Sequence, residues 1–243
     1  MDVPSAAMAT PCPSCGQSMA TLRLERRPHG EASIDACAGC RALWFDGFES
    51  VQLTPGATLA LLKVIHEAER EAARPLGARL ACPRCSAPLA LTSDLQRTTR
   101  FSYYRCPRGH GRYTPFVQFL LEKSFVRPLP PLERERLRAS VGTVRCNGCG
   151  AGIDLAKDTA CRYCRAPVAV LDPDALAQTV AALTPAETKR HKIDAVAMAG
   201  ALMEAERFNH TLAERPPSGS ADAIVAAIQL GATALDILFS PRR

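Results

Sequence analysis

The chain has 243 residues, 47% of them hydrophobic but only 5% aromatic, so it has the apolar content of a folded protein without material for a large aromatic core. Its formal charge of +6 is unevenly spread: residues 57–140 carry fifteen basic and seven acidic side chains, while residues 1–56 carry four and six. The first ten residues lack a basic stretch followed by an apolar run, which argues against a secretory signal, and eleven cysteines point to a reducing, cytoplasmic setting.

The cysteines organise everything else. Five Cys-x-x-Cys pairs leave Cys106 over, and His110 stands four residues beyond it. The twelve side chains fall along the sequence as three quartets: Cys12, Cys15, Cys37 and Cys40; Cys82, Cys85, Cys106 and His110; Cys146, Cys149, Cys161 and Cys164. Two residues between cysteines let one tight turn aim both sulfurs at an ion, and tetrahedral zinc takes a second such knuckle from elsewhere. The stretches between knuckles are 21, 20 and 11 residues, the size of a β-hairpin with a knuckle at each end. The fold class predicted is therefore small α+β: three zinc ribbons joined by helices, followed by an alanine-rich helical C-terminal region, with three structural Zn²⁺ per chain. Eleven thiolates and three Zn²⁺ bring the formal charge of +6 to about +1, so bulk charge does not single out nucleic acid as the partner. Each ribbon is expected to be held by its own metal.

In chain order, residues 11–56 form the first ribbon. Strands are expected at Thr21–Arg26 and Ala32–Ala36, and Asp46 with Glu49 reads as a capping box for a short helix reaching Leu53. Trp44 is placed to cover the metal. The run Cys12-Pro-Ser-Cys15-Gly, a hairpin, Ile34-Asp35-Ala-Cys37-Ala-Gly-Cys40, then Leu43-Trp44-Phe45-Asp46 and Glu49 resembles the bacterial zinc-ribbon family named after the ribbon of transcription factor IIB. Arg41 and Ala42 stand where that family typically carries Gly-Gly. The resemblance covers the first fifty or so residues; it implies a structural zinc site and, through the family name, a link to transcription.

Residues 57–76 are a linker helix, with Thr54–Ala57 read as a Pro-Gly turn and helical spacing over Thr58–Arg74 until Pro75. Residues 80–127 hold the second ribbon and a helix. Cys82-Pro-Arg-Cys85 to Leu89 aligns with Cys12-Pro-Ser-Cys15 to Met19 at an offset of seventy, which suggests a duplicated unit. Its hairpin interleaves Arg97, Arg100, Arg105, Arg108 and Arg112 with Phe101, Tyr103, Tyr104 and Tyr113, and Arg84 lies on the facing knuckle. Alternation puts Phe101 and Tyr103 on one face and Arg100, Ser102 and Tyr104 on the other. Arg84, Arg97, Arg100, Tyr103, Tyr104, Arg105 and Arg108 are the candidate contact residues, for phosphates and bases or for an acidic protein patch. Thr114-Pro115 reads as the N-cap and first residue of a helix to Phe125.

Residues 128–143 are a charged helix and linker, with the helix over Leu132–Ser140, and residues 144–171 are the third ribbon. Residues 172–243 are the helical tail: Asp172-Pro173 opens one helix to Leu183, Thr184-Pro185-Ala-Glu187 opens another to Ala213, and Ala221–Phe239 is an apolar segment. Asp222 and Asp236 within it favour a helix packed on protein over a membrane span.

Four protein ligands per zinc leave no open position for water, and no Ser-His-Asp group, phosphate-cradling loop or carboxylate pair stands out. The sequence thus predicts a non-enzymatic protein with no small-molecule substrate, an adaptor or regulator that meets a protein partner through the helical tail. The alternative is a transcription-associated protein that binds nucleic acid through the hairpin of ribbon two.

Overall fold

Three of the Cys-x-x-Cys turns are built alike. Cys12 N donates to Gln17 O at 2.7 Å and Gly16 N to Cys12 O at 2.8 Å; Cys82 and Ser86 make the same pair of bonds at 2.9 and 2.8 Å, and Cys161 and Arg165 at 2.7 and 3.0 Å. The turn needs a left-handed residue after its second cysteine: Gly16 at φ +72°, Ser86 at +58° and Arg165 at +60°. Only glycine adopts that conformation without cost.

In this computed structural model, which describes residues 9–68, 73–96, 99–146 and 151–191, the strand after the first knuckle, β1 (Ala20–Glu25), pairs with β2 (Glu31–Cys37), and β3 (Ala42–Phe45) follows the second knuckle. The second unit repeats this order as β4 (Ala90–Gln96), β5 (Thr99–Arg105) and β6 (Arg112–Pro115). The two units are one sheet, with spatial order β1-β2-β3-β6-β5-β4 and every neighbour antiparallel. At the join Ala42 faces Pro115, Leu43 faces Thr114, Trp44 faces Tyr113 and Phe45 faces Arg112. Adding seventy to the β3 member of a pair and subtracting seventy from the β6 member gives another pair of the same set, which is the register of a two-fold contact.

A short helix α1 (Glu49–Gln52) keeps half of the predicted capping box, Asp46 N donating to Glu49 Oε2 at 2.8 Å, but its N-cap is Phe48 and no side chain caps it, because the chain makes a further turn between Asp46 and the helix. Helix α2 spans Pro55–Ala68, three residues earlier than the expected start at Thr58. The segment read as a Pro-Gly turn is its first turn, because Thr54 accepts the Ala57 N–H at 3.2 Å as an N-cap and Pro55 takes the first position. Arg74, the expected helix end, instead donates its backbone N–H to Gly39 O at 2.7 Å.

Helix α3 (Phe116–Glu122) is buried along its whole length. Thr114 and Pro115, expected as its cap and first residue, belong to β6, since pairing with β3 claims their backbone. Gln118 caps the free edge of β5, its Oε1 accepting Ser102 N–H at 2.7 Å. Then come β7 (Val126–Pro128) and helix α4 (Pro131–Ser140), anchored by buried Leu137.

The third unit differs from the ribbon expected for it. Strands β8 (Thr143–Arg145) and β9 (Gly152–Asp154) pair across the first knuckle, whereas the prediction had an eleven-residue hairpin between the knuckles. The strand leaving the second knuckle, β10 (Ala169–Leu171), pairs with β7. Eleven residues that must also carry Asp154 and Lys157 in a closed turn leave too little chain for two paired strands. The third unit has its own core of Val117, Leu129, Leu137, Val144, Ile153 and Val168.

Asp172 caps α5 (Pro173–Ala181), accepting Ala175 N–H at 3.1 Å, and Thr184 and Glu187 form the predicted reciprocal box at the start of α6 (Pro185–His191). Both helices pack on α2; Leu176 is fully buried, and Glu187 Oε1 accepts the Gly56 N–H at 3.2 Å. The beginning of the predicted tail is therefore part of the main core, with Ile34, Phe45, Leu62, Ile65 and Phe119. The expected helix to Ala213 beyond His191 and the segment Ala221–Phe239 lie outside the described residues. Among the described residues no helix is long and apolar enough to cross a membrane.

Candidate metal centres

The fold brings eleven of the twelve predicted ligands into three groups, Cys12, Cys15, Cys37 and Cys40; Cys82, Cys85, Cys106 and His110; Cys146, Cys161 and Cys164, with the ligand atoms of each group within 4.8 Å of one another. Cys149, the twelfth, lies outside the described residues. No disulfide joins the ten described cysteines.

The spacings test whether a tetrahedral ion fits. Zn–S bonds of 2.3 Å put two sulfurs about 3.8 Å apart, and a sulfur about 3.6 Å from an imidazole nitrogen. Cys15 and Cys37 sulfurs are 3.9 Å apart, Cys85 and Cys106 3.7 Å, and Cys146 and Cys164 3.4 Å. His110 presents Nδ1 at 3.6 Å from the Cys106 sulfur and 3.9 Å from that of Cys82. The groups match the coordination polyhedron in size and donor chemistry.

Electrostatics point the same way. A hydrogen bond with Cys37 and then burial push the Cys12 thiol well above its ordinary range, and burial first of all pushes Cys40 and Cys82 up to about 11. At Cys106 burial acts upward, but the backbone N–H groups of His110 and Arg108 outweigh it and hold the thiol at about 6. Packed thiols resist ionising together; a dication at their centre removes that conflict. The knuckle amides supply the rest, as Arg84 N does to Cys82 Sγ at 3.4 Å.

The first two groups share one core, in which Trp44, Ala42 and Tyr113 are fully buried among Cys12, Cys37, Cys40, Cys82 and Cys106. Each unit covers the other's site. Tyr113, from the second unit, is fully buried, and its hydroxyl is pushed well above its ordinary range by burial and then by Cys12 and Cys40 of the first group. Trp44, from the first unit, lies against Gly111 beside His110, so closely that a Cβ there would stand 2.9 Å from Trp44 Cζ2 and 2.3 Å from Phe45 O. Trp44 Nε1 donates to Asp46 at 2.7 Å, and Asp46 pairs with Arg84 of the second unit's knuckle at 2.8 Å. The connector also closes over the first group, Gly77 N donating to Ser14 Oγ at 2.9 Å and Ala81 N to Pro13 O at 3.3 Å. The predicted role of Trp44 thus extends to the site of the neighbouring unit. Tyr113, three residues past His110, likewise reaches the site of the neighbouring unit.

The candidate contact residues divide. Arg84 is held by Asp46. Tyr103 lies under Arg112, whose guanidinium is 4.7 Å from its ring centre, and Tyr104 packs on Tyr113 at 6.3 Å. Arg100, Arg105 and Arg108 are exposed, and Arg97 lies outside the described residues. Arg112 itself pairs with buried Glu122 at 2.7 Å, and Lys123, lowered by burial against the pull of Glu122, donates to Ser50 O at 2.7 Å. No family model matches the chain, and no curated protein or solved structure matches it either.

Proposed function

We propose that this chain is a non-catalytic zinc protein, an adaptor or regulator in which three Zn²⁺ hold the fold and protein contacts carry the function. In the two complete quartets a bound zinc has its four positions taken by protein, which suits a structural ion and leaves none for water. The observation that carries the choice of partner is the use made of the hairpin aromatics: Phe101 is buried, Tyr103 supports Arg112 and Tyr104 packs on Tyr113. Base stacking needs free aromatic faces; Phe101 is buried, and the half-buried Tyr103 and Tyr104 each have one face taken by a neighbour. Large apolar side chains stand free elsewhere, Phe48 at 80% exposure and Val51 at 70%. The resemblance of residues 11–53 to the ribbon family named after transcription factor IIB is in keeping with a structural zinc. A partner surface in the tail belongs to residues beyond His191, because α5 and α6 are committed to the core.

The second reading is nucleic-acid binding through Arg100, Arg105 and Arg108, which project from one hairpin and its knuckle. Titration of zinc-loaded protein with mixed DNA and RNA across a salt series separates the two, because phosphate contacts give a steep salt slope. Absence of binding at low salt is the result expected. Micromolar binding that Arg100→Gln, Arg105→Gln and Arg108→Gln together abolish would replace the protein-partner reading.

A further inference from the structure

Phe48 and Val51 flank a groove of about 310 Å³ whose other walls include Asp94, Tyr103, Arg105 and Arg112. Phe48 is not a stray surface residue on a loose loop. The turn that presents it is fixed on both sides: Trp44 Nε1 holds Asp46, Asp46 N donates to Glu49, and Phe48 O accepts the Val51 N–H at 3.2 Å. A large aromatic held outward on a rigid turn, with a branched apolar neighbour one helical turn on, is the composition of an interface anchor.

Charge decides what the anchor meets. Arg105 and Arg112 are direct cross-strand partners, so both guanidinium groups project on the same face, an arrangement unfavourable for folding. Glu122 neutralises Arg112 from below. Arg105 is exposed and, among the described residues, has no acidic partner. Asp94 lines the same groove but makes no ion pair with Arg105, and its Oδ1 accepts the Leu95 N–H at 2.8 Å. The fold keeps a cation that has no ion pair among the described residues beside two uncovered apolar side chains.

We infer that this groove is a docking site for an acidic peptide segment of a protein partner, one whose bulky apolar side chain packs on Phe48 and Val51 while a neighbouring carboxylate pairs with Arg105. This rests on the adaptor reading and names the surface that serves it. The groove floor is already set, with Arg112 locked between Tyr103 and Glu122, so little ordering is required on binding.

The test uses full-length zinc-loaded protein and three fluorescent probes read by anisotropy: dodecapeptides with Leu or Phe flanked by aspartates, the same peptides with asparagine for aspartate, and a mixed-sequence single-stranded DNA of twenty nucleotides. The aspartate peptides are expected to bind and the asparagine peptides to bind at least tenfold more weakly. Phe48→Ser with Val51→Ser, and separately Arg105→Gln, should each weaken the aspartate peptides about tenfold or more, with zinc content and thermal midpoint unchanged because none of the three side chains is in a core. Aspartate peptides that bind both variants as well as the parent chain, or that bind nowhere, overturn the groove. A pull-down with the same proteins then isolates the cause: a partner retained equally by all variants leaves the adaptor reading standing and removes only the groove. Binding of the DNA alone removes both.

Discussion

Replacing one ligand of the second quartet, Cys106→Ser, should damage the first quartet as well. If each ribbon stood alone, bound zinc would fall from three equivalents to two and nothing else would change. In this fold, collapse of the second site frees β6 from β3, exposing Tyr113 and the Gly111 face of Trp44. Side chains of this size bury about 150–250 Å² each, and both are fully buried here. Losing half of that for each, at about 25 cal/mol per Å², removes about 4 to 6 kcal/mol of support from the first site before relaxation. Partial recovery by repacking leaves a coupling of about 3 kcal/mol, roughly a hundredfold in the zinc affinity of Cys12, Cys15, Cys37 and Cys40. Competition with a graded series of chelators, with metal content measured by mass spectrometry, reads the affinity of the remaining sites. The control is Cys161→Ser, whose site lies in a separate core and should cost one equivalent only. A first-site affinity within threefold of the parent chain in Cys106→Ser would refute the shared-core argument.

Three further outcomes follow from particular contacts. Gly111→Ala places a methyl 2.3 Å from Phe45 O on a residue at φ +145°, and should cost roughly 3 kcal/mol or more in urea unfolding while lowering zinc retention at the second site. Glu122→Gln removes the buried anion shared by Arg112 and Lys123, leaving two part-buried cations, and is expected to lower stability by about 3 kcal/mol; an unchanged urea midpoint would show the network to be dispensable. Glu187 is held at about 2, because hydrogen bonds from Thr184, Thr54 and Gly56 outweigh the upward effect of burial. A depressed carboxylate stabilises above its unfolded value of about 4.3 and loses that contribution as pH falls toward 2, so Glu187→Gln should cost about 2 to 3 kcal/mol at pH 7 and about half as much at pH 3. A difference between the two proteins that stays constant over that range argues against the carboxylate as the tie between α6 and α2.

What the sequence disclosed depended on the range of the interaction. Ligand spacing is local chemistry, and it located every described member of the three metal groups. Three Thr-Pro pairs show where local signals stop. Thr184-Pro185 with Glu187 is a cap and first helical position, as read. Thr54-Pro55 is the same device, passed over because Gly56 follows and suggests a turn; the glycine is tolerated there because its N–H is taken by Glu187, 131 residues away. Thr114-Pro115 has the same cap signal and is strand, because β3 offers it backbone partners and leaves the Thr114 hydroxyl without one. The β3–β6 join escaped notice for the same reason, since four-residue strands separated by about seventy positions carry no periodic signature.

The two-fold register also explains why the exposed anchor lies where it does. The offset of seventy that maps β3 onto β6 maps the turn after β3 onto the start of α3. Equivalent chain thus leaves the central strands in opposite directions on the two sides of the sheet axis. In the second unit it becomes Phe116–Glu122, buried throughout and wedged between the sheet and the third unit through Val117 and Gln118. In the first unit it becomes Asp46–Gln52, where Ser50 is buried against Glu122 while Phe48 and Val51 face solvent. Two copies of one module give two such places, and the third unit covers only one of them. Among the described residues the two-fold core with its single added unit leaves one of these positions uncovered, and apolar side chains stand there. That asymmetry is the physical argument for reading the Phe48 surface as an interface that something else completes.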